Sequence, residues 1–242
     1  MNDKMKNIIK LGNIRIEVEQ KDIKNIHLSV YPPDGAVKIS APERMDLDTI
    51  RVFAISKLQW IKKQQKKFKE QQRETKREYL TKESHYFKGK RYLLKVIERN
   101  SKPEVILKHS KIELYIRPNS TLEKKQEIIN EWYRSELKKS APELIEKWEK
   151  KIGVKSNEFK IRKMKTKWGS CNTQTKTIIL NLELAKKPVE CLEYIIVHEL
   201  VHLLVRSHNE QFVKYMDKFM PKWKFYKDEL NRLPFRFLNW KY

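Results

Sequence analysis

The chain of 242 residues is poor in cysteine and glycine, and it has no apolar run long enough to cross a bilayer. Each shortage excludes something. Its two cysteines, Cys171 and Cys191, supply neither a disulfide framework nor a four-thiolate metal site. The five glycines stand apart from one another, so there is no glycine-rich loop to cradle phosphates. Residues Met1 to Ile14 lack the apolar core of a signal peptide. No stretch approaches the roughly 20 apolar residues that a membrane helix needs. Together these absences are read as those of a soluble, cytoplasmic protein with no membrane partner. Acidic residues are scarce too. Lys+Arg outnumber Asp+Glu by 54 to 31, a formal charge of +23. The excess fits a nucleic acid or nucleotide partner at a basic surface. It fits equally a composition biased towards lysine, isoleucine and asparagine.

What is present points to an α+β chain with long helices, made of a β-rich N-terminal region with a lysine-rich helix, over 1–118, and a second, catalytic domain over 119–242. Ile14–Glu19, Ile26–Val30 and Ala36–Ser40 alternate apolar and polar residues, the period of half-buried strands, and Pro32-Pro33-Asp34-Gly35 is a turn signal. Asp46 or Asp48 caps a helix whose stripe is Ile50, Phe53, Ala54, Leu58 and Ile61. That helix runs into the lysine-rich segment Lys62 to Lys69, which is either a solvated helix end or a nucleic-acid face. Strands are expected at Arg91–Ile97, Glu104–Leu107 and Ile112–Ile116, followed by a helical pattern from Thr121 to about Ile152 that Pro142 divides or kinks. His27, His85 and His109 read as surface residues. Phe159–Met164 and Thr177–Leu182 look like paired strands joined by the loop Thr166–Asn172. No internal repeat is legible.

Pro188 then opens an apolar helix that contains Val197-His198-Glu199-Leu200-Val201-His202, with His208 beyond it. Histidines four apart lie on one helical face, so both imidazoles can reach a single cation. Glu199 beside the first is placed to act as general base on the ion's water. A catalytic zinc takes three protein ligands and keeps a position open. His208 is the natural third, because a helix ending just after Leu204 lets the chain swing it back. Ser207 and Glu210 have capping-box spacing for the next helix, whose stripe is Phe212, Tyr215, Met216 and Phe219. The plainer reading is two satisfied core histidines and a paired glutamate. Three histidines and a glutamate within eleven residues of an apolar run fit metal ligation better, since ionisable groups are costly in such a helix.

These residues resemble the YgjP-like metallopeptidase family, a bacterial and archaeal group related to the SprT-like proteins and to zincins. The resemblance rests on Lys167-Trp168-Gly169-Ser170-Cys171, Ile179-Leu180-Asn181, Tyr194 through His202, and His208 with Phe212. Trp60-Ile61 and Tyr86 through Tyr92 extend it towards the N-terminus. It implies a zincin-like metallohydrolase domain with His198, His202 and His208 as ligands of one zinc ion and Glu199 as base. It also implies that the strand from Ile178 to Leu182 borders the cleft and offers an edge to an extended peptide. The family commonly has arginine where Lys167 stands, which removes a bidentate contact. Val205 occupies the position where metzincins place glycine, so the turn differs from theirs.

The leading expectation is therefore zinc-dependent hydrolysis of a polypeptide. Lys167, Trp168, Ser170 and Asn181 are expected to contact substrate. Lys167, Ser170 or a loop N–H would be the oxyanion donor, while Trp168 either shapes a pocket or packs in the core. One alternative is a nucleotide pyrophosphohydrolase using the same metal site. The other is a DNA-associated module with structural zinc, although structural zinc fills four positions and no fourth ligand is evident.

Overall fold

The computed structural model describes residues 6–31, 35–70, 77–164 and 167–232. They form two compact units, one within residues 1–73 and one within 74–233. The boundary falls well before residue 118, so strands read from the sequence as N-terminal group with the helices that follow them. The class is α+β, as expected.

In the first unit, β1 (Lys6–Leu11) and β2 (Ile14–Lys21) make a hairpin. Gly12 turns it at φ +57°, a conformation that residues with a side chain rarely adopt. With β3 (His27–Tyr31) and β4 (Ala36–Pro42) they form a sheet ordered β1-β2-β4-β3, in which β2 and β4 are parallel. Sequence alternation becomes alternation of burial: Ile14, Ile16 and Val18 point into the core while Arg15 and Glu17 face solvent. Asp46 rather than Asp48 caps α1 (Leu47–Ser56), its carboxylate accepting from Thr49 N at 2.7 Å. Ile50 and Ala54 of this helix and Ile61 of α2 (Leu58–Glu70) are buried in one core with Ile16, Val37 and Ile39. Lys62, Lys63 and Lys66 are exposed on α2. The side chains of Lys67 and Lys69 lie outside the described residues, as do Pro32, Pro33 and Asp34 of the expected turn.

The second unit opens with β5 (Ser84–Phe87), β6 (Lys90–Glu98), β7 (Glu104–Leu107) and β8 (Lys111–Ile116), ordered β5-β6-β8-β7. Here β6 and β8 are parallel and the outer pairs antiparallel. Order and strand senses repeat those of the first sheet, and each sheet is followed by a helix. The chain thus carries a topological repeat that residue identities do not reveal. His85 is a correction to the surface reading. It is 1% exposed on β5, because this short strand turns His85 and Phe87 to the same buried side.

The helix α3 (Leu122–Ile152) is continuous through Pro142. Proline removes one N–H from the ladder. The buried stripe Ile129, Tyr133, Leu137, Ala141, Ile145 and Trp148 runs past that point and holds both halves in line. Thr121 Oγ1 caps the start by accepting from Lys124 N at 3.3 Å, and Gly153, at φ +80°, ends the helix. Beyond it, buried Glu149 accepts from Ser156 N at 2.7 Å and Ser156 Oγ at 2.6 Å, fixing the turn into the next strand. Burial pushes the Glu149 carboxyl upward, but the hydrogen bonds from Lys155 and Ser156 outweigh it and the net shift is downward.

That strand, β9 (Glu158–Arg162), joins β10 (Gly169–Asn172) and β11 (Thr177–Asn181) in a sheet ordered β10-β11-β9. The segment read as a loop therefore contains a strand; Thr166 lies outside the described residues. β11 is the middle strand, parallel to β9 and antiparallel to β10, so its edges are both taken. Among the described residues, the outer edge of β10 has no strand partner. A 3-10 turn (Leu182–Lys186) leads to α4 (Val189–Val201), α5 (Glu210–Phe219) and α6 (Trp223–Arg232). No described helix is long and apolar enough to cross a membrane.

Candidate active site

The α4 helix is buried on nearly every side. Leu192, Ile195, Ile196, Val197, Leu200 and Val201 are at most 3% exposed. His198 and Glu199, both 2% exposed, are held within this apolar sleeve. His202 ends the helix, its N–H still bonded to the His198 carbonyl at 3.3 Å, so the two imidazoles remain one turn apart. The next residues coil tightly, with Leu204 N and Val205 N both donating to the Val201 carbonyl. The chain then returns through His208 to α5. Asn209, not Ser207, caps that helix: its Oδ1 accepts from Phe212 N at 3.0 Å. An asparagine next to His208 fixes the helix start and the histidine together.

Ligand atoms of His198, His202 and His208 all lie within 4.8 Å of one another. His208 Nε2 stands 3.0 Å from His198 Nε2. Nitrogens at 2.0–2.1 Å from a tetrahedral zinc are about 3.3 Å apart, so the donor set suits such an ion. His202 Nδ1 lies 3.1 Å from the Val205 carbonyl, which can only accept. That bond fixes the tautomer and leaves Nε2 for a metal. Val205 thus orients the His202 ring through its backbone carbonyl. Phe212 packs against all three rings, at centroid distances of 4.9, 4.8 and 4.7 Å. Tyr194 approaches His198 edge-on at 5.9 Å and stacks on Trp223. Burial lowers the pKa of each of the three histidines, keeping them in the neutral form that binds metals.

Glu199 lies beneath Gly169 of β10. A β-carbon at 169 would stand 2.4 Å from Glu199 Oε1 and 2.8 Å from Ile195 Cγ2. Glycine is required there by space; only its lack of a side chain lets the strand rest on the helix. Burial pushes the Glu199 carboxyl up to about 8, and the charge of Lys167 opposes that rise. The same ammonium acts on His202, so Lys167 is within electrostatic reach of two site residues, and it is exposed.

The other three expected substrate contacts are arranged differently. Trp168 is 2% exposed, with the Lys187 ammonium 5.5 Å over its ring; it is a wall of the core. Ser170 alternates with Gly169 along β10 and so projects from the sheet face away from Glu199. Asn181 is fully buried. Its Nδ2 donates to the carbonyls of Met164 (2.9 Å) and Lys167 (2.7 Å), and its Oδ1 accepts from Glu183 N. It pins the approach to β10 and thereby positions Lys167. Cys171 shares the Gly169 face and feels the Glu199 charge. Burial, then that charge, push its thiol up to about 12, so it is held as a neutral thiol.

A buried helix carrying two imidazoles one turn apart, a third returned by the following loop, and a carboxylate beside the first make a donor set that could hold a metal ion. The chain belongs to the YgjP-like family: the family model described as YgjP-like, metallopeptidase domain, matches residues 24–233. It is thus a hydrolase of the metallopeptidase class. No curated protein matches it. Among solved structures it is similar to the metallopeptidase zymogen of Pyrococcus abyssi abylysin, at 24% identity over 37% of this chain and 90% of that one, with TM-score 0.35. It is also similar to the metallopeptidase zymogen of Methanocaldococcus jannaschii jannalysin, at 24% identity over 37% of this chain and 91% of that one, with TM-score 0.33.

Proposed function

We propose that the chain is a zinc-dependent endopeptidase acting on extended polypeptide, with one ion held by His198, His202 and His208. The observation that carries this reading is the convergence of three neutral imidazoles beside a carboxylate that lies beneath the backbone of an edge strand. Zinc, when bound, supplies Lewis acidity to a water and to the scissile carbonyl. The protein's own groups do the rest. Glu199 accepts the proton of the attacking water at its carboxylate and delivers it to the leaving amine nitrogen. The apolar sleeve around it excludes other water. Lys167 donates towards the carbonyl oxygen as negative charge develops there. The outer edge of β10 has no strand partner among the described residues, and it offers main-chain donors and acceptors to a substrate strand. Gly169 keeps that edge close to Glu199.

The test is hydrolysis by zinc-loaded protein of unfolded polypeptides and, in parallel, nucleoside triphosphates. Cleavage of polypeptide that Glu199→Ala abolishes is expected. Phosphate or pyrophosphate release dependent on Glu199 would overturn the reading. Exposed Lys62, Lys63 and Lys66 on α2, with Trp60 38% exposed, support nucleic-acid association of the first unit. Steep salt dependence of DNA binding would bear that out.

A further inference from the structure

The β9 strand lies at the end of its sheet opposite β10, and no described strand pairs with its outer edge. Beside that edge is a cleft of about 610 Å³ lined by Arg134, Lys138 and Pro142 of α3 and by Phe159 through Arg162 of β9. The three α3 residues are spaced i, i+4, i+8 and so share one helical face. The turn pinned by Glu149 fixes the helix and strand relative to each other. Phe159 and Ile161, both half-buried, turn one way along β9; Lys160 and Arg162, both exposed, turn the other. Phe159 and Ile161 thus give the cleft an apolar side, and four cations, Arg134, Lys138, Lys160 and Arg162, also line it.

Not all four cations are neutralised. Arg134 is paired with Glu131, and Lys160 with Glu158 at 2.6 Å. Lys138 and Arg162 are exposed and have no carboxylate partner among the described residues. Lysine on an edge strand also serves to discourage self-pairing. That explanation covers Lys160 and Arg162, but it does not reach Lys138 and Arg134, which come from a helix with no edge to protect.

We infer that the β9 edge is a second peptide-binding site, remote from the β10 edge, which takes an extended segment with acidic and apolar residues in alternation from a partner polypeptide. Main-chain groups of the segment would pair with β9. Lys160 and Arg162 are two residues apart, about 6.6 Å along the strand, the spacing of alternate side chains in the incoming segment. Acidic side chains at those positions face the cations across the strands. The intervening apolar side chains cover Phe159, Ile161 and Pro142. Single-stranded nucleic acid would use the same cations, but it would leave the strand's main-chain groups unmatched.

The test uses the full chain with Glu199→Gln, so that no probe is cleaved, and a fluorescein-labelled ten-residue peptide alternating glutamate and valine. Fluorescence anisotropy should show binding that weakens by at least about tenfold in the Lys138→Glu, Arg162→Glu double variant. A peptide N-methylated on the residues that face the strand should lose affinity to a similar extent. Unchanged melting temperature in the double variant would establish that the fold is intact; both positions are exposed. Equal binding of the N-methylated peptide would overturn strand pairing. Affinity indifferent to the two charge reversals would place the peptide elsewhere and overturn the site. So would a ten-nucleotide single strand that binds through Lys138 and Arg162 where the peptide does not.

Discussion

Gly169 and Glu199 touch: the space a β-carbon would occupy at 169 is already filled by the carboxylate, 2.4 Å away. The strand can lie this close to the carboxylate only where residue 169 has no side chain. Gly169→Ala should force the strand and the helix apart. Overpacking of this kind costs about 1–3 kcal/mol. We expect a lower melting temperature and a large fall in kcat, with zinc still bound at one ion per chain. Thermal unfolding, steady-state kinetics and metal analysis on the same preparation check this.

Asn209 couples His208 to the start of α5 through its bond to Phe212 N. Asn209→Ala removes that cap, at a cost of about 1 kcal/mol. Because Phe212 also packs on all three imidazoles, its effect should reach the metal. Zinc affinity, measured by competition with a chromophoric chelator, should fall by roughly tenfold. Asn209→Asp, which still accepts from the helix N–H groups, should restore most of it.

Lys167 is an exposed cation whose charge acts on both Glu199 and His202. Lys167→Ala should lower kcat by about 100-fold if it donates to the developing oxyanion. KM should change less. Lys167→Arg, which keeps the positive charge, should retain most of the activity. A variant that raised KM alone would make Lys167 a binding residue instead.

His85 gives the fold a sensitivity to acid. Burial comes first, then the charges of Arg77 and Lys186, in pushing its pKa down to about 3. Glu83 Oε1 lies 3.1 Å from the ring, but that carboxylate is already shared with Arg77 and the backbone N–H groups of Glu78 and Leu80. The unfolded chain takes up a proton near pH 6.5, whereas the folded chain does so only near 3. Stability is therefore lost as pH falls through that window, by up to about 1.4 kcal/mol per pH unit. Urea denaturation between pH 7 and 4 should show this slope, and His85→Gln should flatten it.

What was legible in the sequence is what local geometry controls. His198, Glu199 and His202 are neighbours on any helix, and a short return is enough to bring in His208. Strand positions followed from alternation wherever the runs were long. The contacts that complete the site are between segments distant in the chain. Gly169 meets Glu199 across thirty positions, and only the packing of β10 on α4 makes its missing β-carbon necessary. Asn181 was expected at the cleft because the resemblance put its strand there, yet its side chain is directed inward, to Met164 and Lys167 before β10 and to Glu183 N after β11. Pro142 signalled a break that the long buried stripe of α3 overrides. The two sheets share a topology because backbone order can repeat where side chains do not, which no residue pattern announces.

The central claim is that Glu199 moves the proton in a zinc-dependent attack on a peptide bond. The most direct measurement is cleavage of an unfolded polypeptide by zinc-loaded wild type and by Glu199→Gln, with zinc content measured in both. The account predicts one zinc in each protein and a fall in kcat of about 100- to 10,000-fold in the variant. Equal cleavage by the two at equal zinc content would contradict it.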